Sequence, residues 1–550
     1  MSASSKKKLR SELNAAKMTE RQIKEHQEAK KLKIMTVSFT AVLAVILVVA
    51  VVFAAVQFVN NSGIREKNTV AASINGTELS NAQLNYYYVD AVYEFANNYG
   101  AYASMFGLDV SKPLNEQVVN EETGATWADD FVNSAIANAK ATYALCAEAE
   151  AKGFALSEDE LANIENSISQ LNLQAIMQGY ADADAYIQAY YGHGASVDSF
   201  REYTTMNALA QTYYATYANE LTYDDAALRA GEEGKEAQFN NYSYNYYYLN
   251  VSKFLEGGTT DEEGKTVYSD EERAAAIAKA EAAAKALAEA GCTTVEEFDA
   301  AIAAMEINAE AETAPKSTAC ENYPFSNLTV AAKDWLTDDA RVAGEMTYVE
   351  NASTSTNEDG TEEKTVNGYY VLYFIGMNDN KFPLANVRHI LVTPEGGTYN
   401  SQTGATEYTA EEMAGAKVKA DELLQQFLAG EATEENFISL AKEHSTDPGS
   451  KENGGLYEDV YPGQMVTNFN DWCFAEGRKT GDTGIVESDY GYHIMYYVSD
   501  SETIYRDLLI ENTLRSADTE AWYTALVEAS TAEELNTKYL SRDLVLAANS

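Results

Sequence analysis

Two of the five histidines in this 550-residue chain stand in strand-like runs far apart, His389 in NVRHILV and His493 in GYHIMYYV. Imidazoles that meet on adjacent strands fix each other's tautomer through their ring N–H groups and form a preorganised polar floor. Between the runs lies FISLAKEHSTDPGSKENGGLYEDVYPGQMV, which carries Asp447 in an Asp-Pro-Gly turn. Farther on, Met465 and Phe469 are four apart on a short helix, so they share a face and can wall an apolar slot. The residues also permit plainer readings. A lone histidine in a strand commonly packs into a core, and an aspartate before Pro-Gly serves the turn itself. His444, on the helix before the turn, reads as solvated or packing. A metal site built from His389, His444, Asp447 and His493 is disfavoured because no pair has ligand spacing such as HxxxH. No metal or cofactor is expected.

The elements that must position these groups are a strand, two amphipathic helices, a turn-rich loop, a short helix and a final strand, all between Asn386 and Val498. An earlier stretch repeats that order. Gly257-Gly258-Thr259 recurs as Gly396-Gly397-Thr398, and TVYSDEE (266–272) recurs as TEYTAEE (406–412). Asp334-Trp335, Arg341 and Gly344 recur as Asp471-Trp472, Arg478 and Gly481, and GYYVLYF (368–374) mirrors GYHIMYY (491–497). A duplicated module is therefore expected over 243–378. Counting along the repeat aligns His389 with Asn250, Asp447 with Asn308, Phe469 with Ala332 and His493 with Tyr370, so the first copy reads as having lost the polar site.

The order of His389, Phe437 to Ala441, Asp447, Gly454-Gly455, Gly463-Gln464-Met465, Phe469 and Gly491-Tyr492-His493 resembles the parvulin family of peptidyl-prolyl isomerases. The flanking segments are similar to the membrane-held foldases of Gram-positive bacteria and, more distantly, to periplasmic chaperone-isomerases. The resemblance implies a parvulin domain over 384–500 with His389, Asp447 and His493 as its catalytic residues. Leu456, Val460, Gln464, Met465 and Phe469 would bind the substrate. Rotation about an X-Pro bond faces a barrier of about 18–20 kcal/mol and breaks no bond, so a catalyst need only favour the twisted amide over the planar forms. Asp447 would act by electrostatic repulsion of the moving carbonyl or as an acceptor. The match departs at Gly454 to Val460, where Val460 stands in for an aromatic wall residue.

Toward the N-terminus, residues 1–33 are basic and 34–59 form an uncharged apolar run. That run is long enough for a helix to cross about 30 Å of hydrocarbon, so a single transmembrane helix is expected, with the N-terminus cytoplasmic and the rest extracytoplasmic. After a linker over 60–68, residues 69–242 read as a helical, chaperone-like domain opening on a strand, an Asn75-Gly76 turn and a helix capped by Ser80 and Gln83. Residues 501–550 read as C-terminal helices, and the resemblance implies that they pack on the N-domain. The expected architecture is thus α+β, a helical body carrying two inserted parvulin-like β-α-β modules.

The net charge is −46, and everything after the basic segment sums to −52, which disfavours nucleic acid as a partner. The four cysteines show no metal spacing and read as buried thiols, with Cys292 and Cys320 the one pair to test as a disulfide. The 38 tyrosines, clustered at 86–88, 213–214 and 246–248, suit either a surface for unfolded segments or helix and strand interfaces. The expected partners are unfolded exported proteins and the membrane, with a homodimer implied by the family. The alternative function is a holdase that shields clients without catalysis.

Overall fold

The computed structural model describes residues 4–8, 46–52, 57, 59, 62–260, 264–356 and 360–546. Against the single transmembrane helix expected over 34–59, no helix among the described residues is long and apolar enough to cross a membrane. Within 34–59, residues 46–52 are helical, and 34–45, 53–56 and 58 lie outside the described residues. The α+β character stands, in two compact units: Met1–Leu221 with Ala517–Ser550, and Thr222–Ser516.

In the first unit, strand Val70–Ile74 turns at Asn75 and Gly76, both at positive φ, into a second strand, Thr77–Ser80, which stands between the expected turn and the Ser80-capped helix. The C-terminal strand Ala532–Glu534 pairs on the other side of Val70–Ile74. Ser80 caps helix Asn81–Tyr99, with Gln83 reaching back to the cap. Further helices run Trp127–Ala151, Glu158–Met177, Ala183–Tyr191 and Val197–Glu220. Tyr86, Tyr87 and Tyr88 are buried, Tyr86 stacking on Tyr203 with ring centroids 4.9 Å apart. Trp522 stacks on Tyr217 at 3.7 Å. Tyr213 and Tyr214 also pack on Trp522, so the clusters at 86–88 and 213–214 serve helix interfaces. The expected run of C-terminal helices is one helix, Tyr505–Ala529, followed by the short strand.

The second unit holds two sheets of the same design. The first comprises β1 (Asn241–Asn250), helices α1 (Asp270–Ala288) and α2 (Val295–Ala303), β2 (Thr318–Pro324), α3 (Val330–Leu336), β3 (Met346–Thr356) and β4 (Glu362–Asn378). The second comprises β5 (Pro383–Val392), α4 (Ala410–Ala429), α5 (Glu434–His444), β6 (Leu456–Val460), α6 (Thr467–Cys473), β7 (Thr483–Ser488) and β8 (Gly491–Ile504). The strand orders are β2-β1-β4-β3 and β6-β5-β8-β7, all antiparallel.

Matching side chains perform matching tasks in the two copies. The Gly258 and Gly397 N–H groups each donate to the glutamate of a helix cap, Glu272 and Glu412, at 3.0 Å. Arg341 lies over Trp335 at 4.1 Å and Arg478 over Trp472 at 3.9 Å. All four cysteines are free thiols.

In the second copy the period of two along β8 sends Tyr492, Ile494 and Tyr496 to one face, against Phe427 and Phe437 of α4 and α5. Full burial of Phe437 contributes on the order of 2–3 kcal/mol. The same alternation sends Met495 and Tyr497 to the other face, with Val387, Val460 and Phe469. That second face carries the histidines.

Candidate active site

On β5 and β8, His389 pairs with Met495 and Leu391 with His493, so the two imidazoles are diagonal neighbours on one face. Their rings lie 5.2 Å apart and nearly parallel, with Nδ1 3.0 Å from Nδ1. Both are buried, at 3% and 6% exposure. Phe469 meets both edge-on, with centroids at 5.4 and 5.5 Å.

Asp447, on the turn after α5, brings Oδ2 to 3.0 Å from His389 Nε2. The same oxygen accepts from the hydroxyls of Ser450 and, at 3.0 Å, Tyr457. The hydrogen bond from His389 is the leading cause that holds the Asp447 carboxyl well below the usual carboxylate range, burial opposing it. At the other end Ser488 Oγ is 2.7 Å from His493 Nε2. Burial, and next the neighbouring His389, push the His493 imidazole from 6.5 down to about 4.

One proton arrangement satisfies the whole row with both rings neutral. Ser488 donates to His493 Nε2, His493 Nδ1–H donates to His389 Nδ1, and His389 Nε2–H donates to Asp447. The floor is therefore a directed chain of hydrogen bonds anchored on an ionised carboxylate.

The backbone around it explains the glycine pair. The His389 N–H donates to the Gly455 carbonyl at 2.8 Å, and a Cβ on Gly455, at φ +76°, would lie 2.1 Å from the His389 carbonyl oxygen. Arg388, buried on the opposite face, holds this loop by donating to the Asn453 and Gly454 carbonyls and to Glu434 at 2.8 Å. Gly455→Ala is accordingly expected to lower the unfolding free energy of the second unit by on the order of 2–4 kcal/mol, read from the urea midpoint of Trp fluorescence.

Acid should act on the site in two steps. The His493 pKa is lowered from 6.5 to about 4, so as pH falls through that window the unfolded chain takes up a proton that the native chain refuses, and stability drops. Asp447 is also depressed, so its contribution persists above the ordinary carboxylate value and is lost only in stronger acid. The unfolding midpoint is expected to fall between pH 6.5 and 4, by the equivalent of at most about 3 kcal/mol, with a flatter profile in His493→Phe.

The structure thus brings His389, Asp447, His493, Val460, Met465 and Phe469 together. Val460 is fully buried at the end of β6, Phe469 is 2% exposed, and Met465 stays half-buried at the edge. Two expected residues fall elsewhere. Leu456 pairs with Arg388 and so lies on the helix-covered face of the sheet. Gln464 is exposed, and its Oε1 accepts the Tyr461 N–H at 3.1 Å, closing a turn. His444 has Glu443 as its ionic neighbour, at 3.7 Å. Ser450, Tyr457 and Ser488 were missed by sequence reasoning. Strand alternation could have flagged Tyr457, which pairs with Val387 on the site's face.

The first copy differs at this place. Tyr370 pairs with Tyr248 and Leu372 with Tyr246, which makes Tyr246, not Asn250, the counterpart of His389. Tyr246 and Tyr370 meet edge to face at 5.6 Å where the second copy has its imidazoles. Asn308 accepts from the Tyr247 hydroxyl at 3.1 Å, in the helix-facing core.

Residues 369–501 match the protein-family model of the PPIC-type PPIASE domain. Foldase protein PrsA 1 of Listeria monocytogenes serotype 4b is 43% identical over 68 residues, 12% of this chain and 23% of that protein. Foldase protein PrsA 1 of Listeria monocytogenes serovar 1/2a is 32% identical over 150 residues, 27% of this chain and 39% of that protein. The chain therefore spans well under half the length of these curated relatives. A crystal structure of peptidylprolyl isomerase (PrsA) from Bacillus cereus is 27% identical, covering 28% of this chain and 50% of that one with a TM-score of 0.18. The imidazole pair thus lies inside the segment, residues 369–501, that is similar to the PPIC-type PPIASE domain.

Proposed function

We propose that the second module catalyses cis-trans isomerisation of X-Pro bonds in unfolded segments of exported proteins, with His389, His493 and Asp447 as its polar floor and Val460, Met465 and Phe469 as its apolar wall. One observation carries this reading: the meeting of both imidazoles, the carboxylate and Phe469 on one face of β5 and β8. Three hydroxyl and ring donors saturate Asp447 Oδ2, which favours a role as the acceptor that fixes His389 over bare repulsion of the substrate carbonyl. With its tautomer fixed, the floor offers the twisted amide a polar surface that need not reorganise. The first module, with Tyr246 and Tyr370 at the equivalent place, contributes binding or support without turnover.

Refolding of a protein whose slow phase is prolyl isomerisation tests this. The chain at well below one equivalent should speed that phase, because a catalyst is reused. A non-catalytic holdase would instead reduce aggregation only near equimolar amounts and leave the rate alone.

A further inference from the structure

Within the second unit, two adjoining cavities of about 620 and 630 Å³ run between the two modules and share Asn241, Asn322, Pro462, Asn470 and Tyr505 in their walls. Primary amides concentrate there, with Asn378 and Asn380 lining the second cavity as well. Asn380 is fully buried. Its Nδ2 donates to the Phe239 carbonyl at 2.8 Å and to Asn241 Oδ1 at 3.2 Å, yet among the described residues its own Oδ1 accepts no hydrogen bond. A buried acceptor without a donor is uncommon and calls for a partner. Beside it, Asn241 and Asn378 accept from Asn380, while no side-chain N–H of theirs or of Asn322 is engaged among the described residues.

Opposite the amides, Phe382 packs against Phe474 at 5.9 Å and Tyr505 at 5.5 Å, giving an apolar wall. Of the three charged side chains that line the groove, Asp471 is exposed to solvent and the other two are engaged within the module. Arg478 lies on Trp472, and Asp500 accepts the Tyr497 hydroxyl at 2.7 Å. Apart from the exposed Asp471 carboxylate, the groove therefore offers neutral hydrogen-bonding groups and aromatic surface, the complement of an extended peptide backbone with its side chains. It also adjoins the isomerase slot. Helix α6 gives Phe469 to the slot and Asn470 to the groove, and the turn before it gives Met465 to the first and Pro462 to the second.

We propose that this groove binds the extended backbone of the client beside the prolyl bond, so that the two modules together hold a longer stretch of unfolded chain than the slot alone. The inference rests on the isomerase reading for its register and on the groove's own chemistry for its ligand. The test uses the full chain and Asn322→Ala/Asn378→Ala, neither residue belonging to the slot. The probes are a proline tetrapeptide and the same sequence lengthened on both sides with uncharged residues. Loss of two backbone hydrogen bonds corresponds to about a tenfold weakening. The double variant is expected to bind the long peptide about tenfold more weakly by fluorescence anisotropy, with a matching loss of kcat/KM on it and no change on the tetrapeptide. Equal anisotropy for variant and parent, or equal losses on short and long substrates, would overturn the groove. If the parent binds the long peptide but accelerates neither substrate, the isomerase reading fails, and the anisotropy comparison still decides the groove.

Discussion

Replacing His389 by alanine is expected to lower kcat/KM on a proline tetrapeptide about 100- to 1,000-fold, the range seen when one preorganised polar group is removed from a transition-state site. His389 joins the two halves of the floor, bonding His493 through Nδ1 and Asp447 through Nε2. Without it the His493 ring loses the partner that fixes its tautomer, and the carboxylate loses its ring donor. Met465 and Phe469 would still offer an apolar wall, so peptide affinity should change less than turnover. His444→Ala is the control, since this ring lies on α5 next to Glu443 and outside the row, and it should leave the rate at the parent value. A loss in the control equal to that in His389→Ala would show that damage to the module, not to the floor, reduces activity.

Arg506→Met should be the most destabilising single change in the second unit. The guanidinium is 2% exposed and donates to Glu232, to Asn240 Oδ1 at 2.7 Å, and to the carbonyls of Asp379 and Glu236 at 2.8 Å. It thereby ties the start of helix Tyr505–Ala529 to the segment before β1 and to the connection between β4 and β5. Its removal leaves the Glu232 carboxylate buried, with only Arg229, at 2.8 Å, still paired to it. Breaking one side of a buried pair costs about 3–5 kcal/mol, most of it from the stranded charge. Urea unfolding should therefore shift strongly for Arg506→Met. The double variant with Glu232→Met should regain part of the loss, because it removes a buried carboxylate whose remaining partner, Arg229, is itself half-exposed. A double variant as unstable as the sum of its singles would argue against that cause.

The repeat and the histidine pair were legible in the sequence because glycine, tryptophan and arginine perform the same local tasks in both copies. What the repeat hid was one turn of chain. In the first copy the 3-10 turn Val251–Phe254 separates β1 from the Gly257-Gly258 pair, whereas β5 runs almost directly into Gly396-Gly397. An alignment anchored on those glycines therefore slides four residues along the strand and puts Asn250 where Tyr246 belongs. Leu456 illustrates the same weakness, because shifting a strand residue by one position reverses its face and no local signal fixes the phase of β6. Ser450 and Ser488 escaped notice because serine in a turn carries no chemical signature until a partner is placed against it. The tyrosine clusters were ambiguous for a different reason: their apolar rings suit an interior as well as a client surface, and packing against Tyr203 and Trp522 decides for the interior at 86–88 and 213–214, while Tyr246 and Tyr248 stay half-buried beside Tyr370.

Whether the imidazole row turns over prolyl bonds is read from the cis-to-trans rate of a proline tetrapeptide in the presence of increasing amounts of the full chain. The rate should rise with chain concentration, well above the uncatalysed one, and return toward it with His389→Ala. A rate equal to that in buffer at every concentration, from a chain shown to be folded, would contradict turnover by the imidazole row.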